Sequence, residues 1–400
     1  MGLELNVATI SLLLILLTST TTINAQTKVF DVRNYGAKPN IDITTAVASA
    51  WKDACAYPGS SKVVVPEAVY RVGNITFFGP CKSPIEFNVL GSIHSPEDPN
   101  YFKGDRWIAF QSIDHLIVSG TGNFNGEGET AWSRNGCSKN GYCAHLPTSI
   151  RFDYITNSIV QDITSYNSKQ FHIHALGCQN LTFDHVTIIA PQDSPNTDGI
   201  HIGRSTKINV INSQISTGDD CVSIGDGSRD ILIQGVNCGP GHGISVGSLG
   251  MYQIEQPVSG INVIGCNLTN TSNGVRIKTW PNSYPGSASN IHFENIIINN
   301  VDAPIIIDQG YCPWNVCKPE IPSKVKISNV SFKNIRGISR TKRAVVIVCS
   351  SSLPCENVEL RDIDLRYNGK DGPATSRCVN VKPIIAGYQN PPPCTITTVF

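Results

Sequence analysis

The stretch LTFDHVTI at residues 181–188 decides the fold, because its apolar residues stand at relative positions 0, +2, +5 and +7 and this pattern recurs down the chain. The recurrences fall within about residues 158–365, and they begin at Leu181, Ile208, Ile231, Ile261, Ile291, Val325 and Val358. Alternating apolar residues in short β-branched runs indicate strands. Repeat periods of roughly 20 to 50 residues are typical of solenoids and propellers.

A second short run follows most of these repeats in a common form, as in DGIHIGR, DCVSIGD, HGISVGS and NGVRIKT. Several strands per repeat, irregular repeat lengths and no helical pattern between repeats favour a parallel β-helix over a helical solenoid. A propeller is the alternative, although its blades usually run about 40 residues or more. We therefore predict an all-β fold, a single right-handed parallel β-helix over residues 26–400.

One segment has a helical pattern, from Asp42 to about Cys55, with Asp42 as the N-cap of an Ala-rich body that contains Trp51. A stack of β coils needs its open ends covered. We expect this helix to cap the N-terminal end of the stack.

Residues 1–25 have the pattern of a secretory signal peptide, with an apolar run at residues 10–17 and a small-residue, Thr-rich stretch ending at Ala25. The apolar run is too short to span a bilayer, which takes about 20 residues. We expect cleavage near Ala25 and a secreted, extracellular protein without a membrane anchor. Glycosylation sequons stand at Asn74, Asn180, Asn267, Asn270 and Asn329.

The chain has 14 cysteines and no CxxC pair, which fits structural disulfides in an oxidising compartment better than zinc or thiol chemistry. The even number would allow all of them to pair. Proximity in sequence suggests three bridges: Cys349–Cys355, Cys378–Cys394 and Cys221–Cys238.

Formal charge is balanced, with 31 Lys and Arg against 31 Asp and Glu. This balance lacks the global basic field of a nucleic-acid-binding protein. An acidic ligand must therefore be met by a local cationic site.

Aligning the second runs on their first apolar residue places one polar residue per coil at the position two residues earlier. These column residues are Asp198, Asp220, His242 and Asn273. Stacked strands lie about 4.8 Å apart, so Asp198 and Asp220 should be neighbours. Asp219 stands beside Asp220 and would point to the opposite face of a regular strand. A turn or bulge before Cys221 is required for all three carboxylates to reach one groove.

Three neighbouring carboxylates repel one another, which pushes one of them toward the protonated form. A protonated carboxyl and an ionised partner are what a general acid and a general base require. Asp-Gly and Gly-Asp-Asp are also ordinary turn sequences, and an Asp ladder would explain Asp198 by itself. An Asp ladder would not explain why Asp219, His242 and two cations stand close to Asp198 as well.

Those cations, Arg276 and Lys278, alternate along one strand and should share a face. They could offset the carboxylates or bind the carboxylate of an acidic sugar, and Tyr311 could add a ring at the rim. Clustered carboxylates can also bind calcium, but two adjacent basic side chains disfavour a metal cage. The sequence has no His/Cys spacing typical of zinc, and we expect neither a metal nor a cofactor.

Four motifs in this order resemble the signatures of the polygalacturonases, glycosyl hydrolase family 28: NTDG at 196–199, GDDC at 218–221, GHG at 241–243 and RIK at 276–278. The likeness begins at FDVRNYGA, residues 30–37. The resemblance implies a right-handed parallel β-helix and inverting, metal-free hydrolysis of α-1,4 bonds in polygalacturonate. It implies Asp219 as general acid, Asp198 and Asp220 as the pair that activates water, and His242 as support for the acid. The substrate-binding residues would be Arg276, Lys278, Tyr311 and Asn196.

Three sequence motifs are most similar to plant members of the exo-acting pollen type: VRNYGA, GISVGSLG and VRIKTWP. Met251 departs from that type, in which a basic residue is expected after GSLG. Two alternatives stay open: a calcium-dependent pectate lyase on a similar β-helix, and a non-catalytic pectin-binding protein of the cell wall. We expect a monomer whose partner is pectin, with no nucleic-acid or membrane partner.

Overall fold

The computed structural model describes residues 27–134, 146–313, 317–394 and 396–397, so the predicted signal peptide, residues 1–25, lies outside them. The described chain winds as a right-handed parallel β-helix, as predicted, and its strands pair in parallel within two sheets. The larger sheet contains two columns of strands and the smaller sheet forms a third.

The first column consists of Lys28–Asp31, Ser61–Val65, Ile85–Val89, Leu116–Ser119, Thr156–Gln161, Gln179–Asp184, Thr206–Ile211, Arg229–Gln234, Val258–Ile264, Gly286–Val301, Val325–Ser339, Glu356–Tyr367 and Ile384–Asn390. The second column consists of Val69–Arg71, Ser92–His94, Asn123–Asn125, Thr164–Tyr166, Thr187–Ile189, Gln214–Ser216, Asn237–Cys238 and Asn267–Thr269, and it merges into the long strand Gly286–Val301. The third column consists of Ile75–Phe78, Arg106–Gln111, Thr148–Asp153, Ile173–Leu176, Ile200–Gly203, Val222–Ile224, Ile244–Leu249, Asn273–Thr279, Ala303–Asp308, Arg343–Val348, Thr375–Val379 and Ile396–Thr397.

The repeating apolar pattern builds the core because the residues at positions 0, +2, +5 and +7 all point inward. Leu181, Phe183, Val186 and Ile188 are fully buried. Their counterparts stack in register, since Leu181 pairs with Ile208 and each later repeat pairs with the next as far as Ile291. Burying such side chains stabilises each coil by about 1.5–3 kcal/mol per residue.

The predicted frame at Val325 is wrong by five residues, because Ile291 pairs with Val330. The run from 325 to 339 fits the apolar pattern from either start, except that the correct frame has Gly337 at position +7. Gly337 has φ +136, and a Cβ there would lie 1.8 Å from the carbonyl oxygen of Ile298. A close backbone approach therefore replaces the apolar residue that the pattern requires. The coils run from Lys28 to Thr397, within the predicted residues 26–400 and well beyond the range of about 158–365 in which the sequence shows the repeat.

The N-terminal helix spans Thr44–Cys55, two residues shorter at its start than predicted. Asp42 lies before it, and its Oδ1 accepts a hydrogen bond from the backbone nitrogen of Thr44 at 2.8 Å. Trp51 packs against Phe77 and Phe87 with ring centroids 4.8 and 6.4 Å apart. The helix thus covers the apolar interior at the N-terminal end of the stack.

In the described part of the chain, one further α-helix, Glu129–Arg134, interrupts the coils where we predicted none. Two 3-10 turns occur at Val32–Tyr35 and Pro99–Tyr101. Within the described ranges, no helix has the length and apolarity needed to cross a membrane.

The described residues contain five disulfides, and the three predicted ones are confirmed: Cys55–Cys81, Cys221–Cys238, Cys312–Cys317, Cys349–Cys355 and Cys378–Cys394. The even number did not mean complete pairing, because Cys178 and Cys266 are buried free thiols. Burial raises the pKa of Cys178 to about 12 and that of Cys266 to about 11. Both behave as small apolar core residues, while the disulfides indicate an oxidising compartment.

Candidate active site

The polar residues that were predicted to stand one per coil lie on the outer face of the third column of strands. Ile200 pairs with Val222, Val222 with Ile244, and Ile244 with Val275. The backbone nitrogen of Gly199 donates to the carbonyl of Asp220 at 2.9 Å. Asp198 and Asp220 therefore occupy adjacent coils, as the spacing predicted.

Asp219 lies in a bend before the strand Val222–Ile224, which confirms the predicted turn before Cys221. Its Oδ1 accepts a hydrogen bond from the backbone nitrogen of Asp220 at 2.7 Å. The bend requires Gly218, because a Cβ there would lie 1.9 Å from the carbonyl oxygen of Ser194. As a result Asp198, Asp219 and Asp220 line one cleft.

Asp220 is 1% exposed and accepts four hydrogen-bonding or ionic contacts. Its Oδ1 accepts from Ser245 Oγ at 2.8 Å and from Arg276 Nη2 at 2.9 Å. Its Oδ2 accepts from Lys278 Nζ at 2.8 Å. Burial acts to raise the pKa of Asp220, but Lys278 and Arg276 outweigh it and hold that pKa at about 2. Asp220 is therefore an anion across the physiological range.

The fourth contact of Asp220 is a hydrogen bond that its carbonyl accepts from the backbone nitrogen of Gly199, which belongs to the coil that carries Asp198. Asp198 is 6% exposed, and its Oδ2 accepts a hydrogen bond from Ser223 Oγ at 2.7 Å. Burial and the charges of Asp219 and Asp220 raise the pKa of Asp198 well above its ordinary value. The cluster therefore contains one carboxyl that is shifted toward its protonated form, Asp198, and one that stays ionised, Asp220.

His242 contacts Asp219, with 3.0 Å between Nδ1 of the imidazole and Oδ1 of the carboxylate. Its backbone nitrogen also donates to the carbonyl of Asp219 at 2.7 Å. Burial acts to lower the pKa of His242, but the hydrogen bond and charge of Asp219 outweigh it and raise that pKa. A protonated imidazole is thus favoured beside Asp219.

Arg276 and Lys278 share one face of their strand, as predicted, because both contact Asp220. Tyr311 lies over both cations, with its ring centroid 5.1 Å from Lys278 Nζ and 5.8 Å from Arg276 Cζ. The same ring meets Trp280 edge-on at 5.7 Å. This arrangement forms the cationic, aromatic end of the cleft.

The cleft has a volume of about 230 Å³. It is lined by Phe171, Asn196, Asp198, His201, Asp219, Asp220, Ser223, Gly225, Gly247, Ser248, Lys278, Trp280, Tyr311 and Pro313. Six of the eight residues singled out from the sequence line it. The other two, His242 and Arg276, are not lining residues, but they contact Asp219 and Asp220.

Sequence reasoning missed the two serines that bond the buried carboxylates, and it missed Phe171 and Trp280 at the cleft walls. Ser223 and Ser245 occupy the same position of the aligned second runs as Arg276, one residue after the first apolar residue. The alignment therefore contained a usable signal for them. Phe171 precedes its strand, and its place in the cleft depends on a turn that no repeat pattern describes.

Asp219, Asp220 and His242 place potential metal-ligand atoms within 4.8 Å of one another. Both carboxylate oxygens of Asp220 already accept from cationic groups, Arg276 on one and Lys278 on the other. Calcium favours sites of several oxygen ligands with a net negative charge. The donor set therefore fits an internal ion-pair network better than a metal site.

A family model described as glycosyl hydrolases family 28 matches residues 55–390. A polygalacturonase of Gossypium hirsutum is 50% identical over 387 residues, which cover 96% of this chain and 95% of that protein. An exopolygalacturonase of Oenothera organensis is 54% identical, covering 88% of this chain and 98% of that protein.

Among solved structures, a hyperthermoactive exopolygalacturonase from Thermotoga maritima superimposes with a TM-score of 0.73. The superposition covers 84% of this chain and 87% of the Thermotoga maritima chain. Because the two are only 19% identical, the likeness shows the fold alone. The family match over most of the chain and the relatives at about half identity lead to one conclusion: this chain belongs to glycosyl hydrolase family 28.

Proposed function

We propose that this glycoside hydrolase cleaves the α-1,4 bonds of polygalacturonate from a chain end, with inversion at the anomeric carbon. The observation that carries the proposal is the convergence of Asp198, Asp219 and Asp220 in one cleft beside Lys278. The names of the relatives, polygalacturonase and exopolygalacturonase, support this substrate and an end-on mode of attack.

Asp219 is proposed as the general acid. Its side chain is 20% exposed, against 2% for Asp220, so it can reach the oxygen of a bound glycosidic bond. His242 lies within hydrogen-bond distance of it, and the raised pKa of His242 favours a protonated imidazole that supports the acid. The raised pKa of Asp198 supports retention of one proton by the coupled carboxyl groups, and the mechanism places that proton on Asp219 when the bond breaks.

Asp198 and Asp220 are proposed to orient the attacking water. The water oxygen forms a bond to the anomeric carbon while the bond from that carbon to the leaving oxygen breaks. The leaving oxygen takes the proton of Asp219, and a proton of the water passes to Asp220, which is ionised in the free protein. One acid and one base on opposite faces of the sugar give inversion.

Lys278, Arg276, Tyr311 and Asn196 are proposed to bind the substrate. The ammonium of Lys278 faces the cleft and also contacts Asp220, so it can hold a sugar carboxylate next to the reacting bond. Arg276 adds positive charge from behind. A free carboxylate at this position should bind better than a methyl ester, because the ester has no charge to offer the cations.

We also propose that the protein acts as a monomer in the cell wall after removal of residues 1–25. The disulfides support a secreted protein, and all five sequon asparagines are exposed.

Purified protein incubated with polygalacturonate, with and without a calcium chelator, tests this proposal. Hydrolysis should release reducing ends in both conditions without any unsaturated product. Proton NMR of the first product should show the anomer opposite to that of the substrate bond. Chromatography at low conversion should show galacturonate monomer before any longer product.

Three other outcomes would each contradict a part of the proposal. An ultraviolet-absorbing product that requires calcium would indicate a lyase. Polymer binding without turnover would indicate a non-catalytic wall protein. Mixed oligomers at the earliest times would retain hydrolysis and exclude attack from the chain end.

A further inference from the structure

Phe171 stands in the turn at residues 167–172, where the chain passes from the second column to the third. Its ring stacks on the imidazole of His201, with centroids 4.9 Å apart and planes inclined by 27°. It also meets His174 edge-on at 6.0 Å. His174 and His201 are paired in register on adjacent strands. Phe171 therefore covers the floor of the groove at the N-terminal side of Asp198.

The two imidazoles beneath Phe171 are neutral, and the neighbouring cation Arg151, the strand partner of His174, is paired with Asp105 and Asp153. Burial lowers the pKa of His201 to about 4, and it lowers that of His174 well below the ordinary value. The opposite end of the cleft presents the ammonium of Lys278. A chain of acidic sugars thus meets a cation at one end of the cleft and an apolar ring at the other.

The turn that carries Phe171 is anchored by a buried cation, Lys169, which is 1% exposed. Its Nζ donates to the carbonyl of Pro96 at 2.7 Å, to the carbonyl of Gly126 at 2.5 Å and to Ser95 Oγ at 3.0 Å. No carboxylate of the described residues forms an ion pair with it. Such a lysine is costly to bury, and the proposed hydrolysis makes no use of it.

Further contacts hold the residues on either side of Lys169. Ser168 Oγ donates to the carbonyl of Phe171 at 2.7 Å, and Trp132 Nε1 donates to the carbonyl of Ser168 at 3.0 Å. Gln170 Oε1 accepts from the backbone nitrogen of Leu146 at 2.8 Å. Every residue from 168 to 171 therefore takes part in a hydrogen bond that fixes the turn, and Phe171 forms a wall of the cleft.

A second depression of about 420 Å³ lies beyond this wall on the same sheet, lined in part by Phe78, Lys103 and Arg106. It shares no lining residue with the catalytic cleft. The strand Thr148–Asp153 lies between the two depressions, and Phe171 lines the catalytic cleft on the side that faces the second depression.

We propose that Phe171 is a specificity-determining residue that closes the N-terminal end of the cleft, so that only the end of a galacturonate chain enters. Lys169 is its positioning residue. The inference rests on the proposed hydrolysis of polygalacturonate and adds the physical cause of end-on attack.

The test is the product distribution from hexagalacturonate at low conversion, measured by chromatography. The wild-type protein should release monomer. Phe171→Ala should raise the ratio of longer products to monomer roughly tenfold, the change expected when about 1.4 kcal/mol of discrimination is lost. Phe78→Ala is the matched control, because Phe78 is on the same sheet, 61% exposed and outside the cleft. It should leave the ratio unchanged.

Lys169→Met should move the ratio in the same direction by releasing the turn. If Lys169 acts through Phe171, the same change in a Phe171→Ala background should add nothing further. A purely structural role would instead lower the melting temperature without changing the products. Phe171→Leu provides a milder variant if Phe171→Ala does not fold.

The inference is overturned if Phe171→Ala, or the folded Leu variant, releases monomer at the wild-type ratio. It is also overturned if the wild-type protein releases mixed oligomers from the start, an outcome that leaves hydrolysis standing. Absence of any hydrolysis by the wild-type protein would instead refute the proposed function.

Discussion

Two clusters of aspartates and cations lie on the outer face of the same sheet, and they differ in their balance of charge. Near the N-terminal end, Asp153 accepts from Arg151 Nε at 2.7 Å and from Arg106 Nη1 at 3.0 Å. Asp105 pairs with both arginines. Two carboxylates there meet two guanidinium groups. In the candidate active-site cleft, three carboxylates share Arg276, Lys278 and a titratable histidine.

The difference shows in the pKa values. Burial acts to raise the pKa of Asp105, but Arg151 and Arg106 outweigh it and leave that pKa lowered. In the cleft the two strong cations are committed to Asp220, and the pKa of Asp198 rises well above its ordinary value. Matched charges make a structural ion pair, whereas one carboxylate in excess makes a cluster that stores a proton.

The largest expected effect is on turnover. Asp219→Asn removes the proposed acid and should lower kcat about 10²- to 10⁴-fold, the usual contribution of general acid catalysis. The melting temperature should stay close to that of the wild type, because Asn keeps the size and most hydrogen bonds of the side chain. Initial rates on polygalacturonate and thermal unfolding of the same preparation measure both. Substantial remaining hydrolysis would remove Asp219 from the acid role.

The second effect is on stability at the other cluster. Asp153→Asn removes the buried carboxylate partner of Arg151 and leaves the exposed Asp105 as its remaining one, so it should lower the free energy of unfolding by about 3–5 kcal/mol. Asp105→Asn is the control, since that side chain is 53% exposed, and it should cost no more than about 1 kcal/mol. Denaturant unfolding gives both values. A loss of turnover per folded molecule in Asp153→Asn would contradict a purely structural role for the first cluster.

The smallest effect is on pH dependence. The lowered pKa of Asp220 contributes stability that is present above its unfolded value and is lost as pH falls toward about 2. Asp198 acts in the opposite direction, because the folded protein keeps a proton that the unfolded chain loses. Stability should therefore decline as pH rises above the unfolded pKa of Asp198, and activity should decline with loss of that proton.

Asp198→Asn should flatten the stability decline in thermal unfolding across pH. An unchanged slope would show that Asp198 does not hold the stored proton.

Much of this architecture could be predicted from local patterns. Alternation in the strands placed Asp198 and Asp220 in adjacent coils, and the same rule required the bend that exposes Asp219. The pattern failed where a residue was chosen for backbone clearance instead of burial, as at Gly337. It also overstated cysteine pairing, since Cys178 and Cys266 fill core positions as thiols.

The sequence by itself determined the coil, the register of the catalytic column and the family, because strand periodicity and short motifs are local properties. Only the tertiary structure decided how the charges are shared. Arg276 and Asp220 stand 56 residues apart, and Lys169 reaches Ser95 across 74. Such contacts depend on the length of every intervening turn, and turn lengths follow no period. The commitment of both cations to Asp220, and the anchored turn that brings Phe171 to the cleft, are therefore properties of the folded chain.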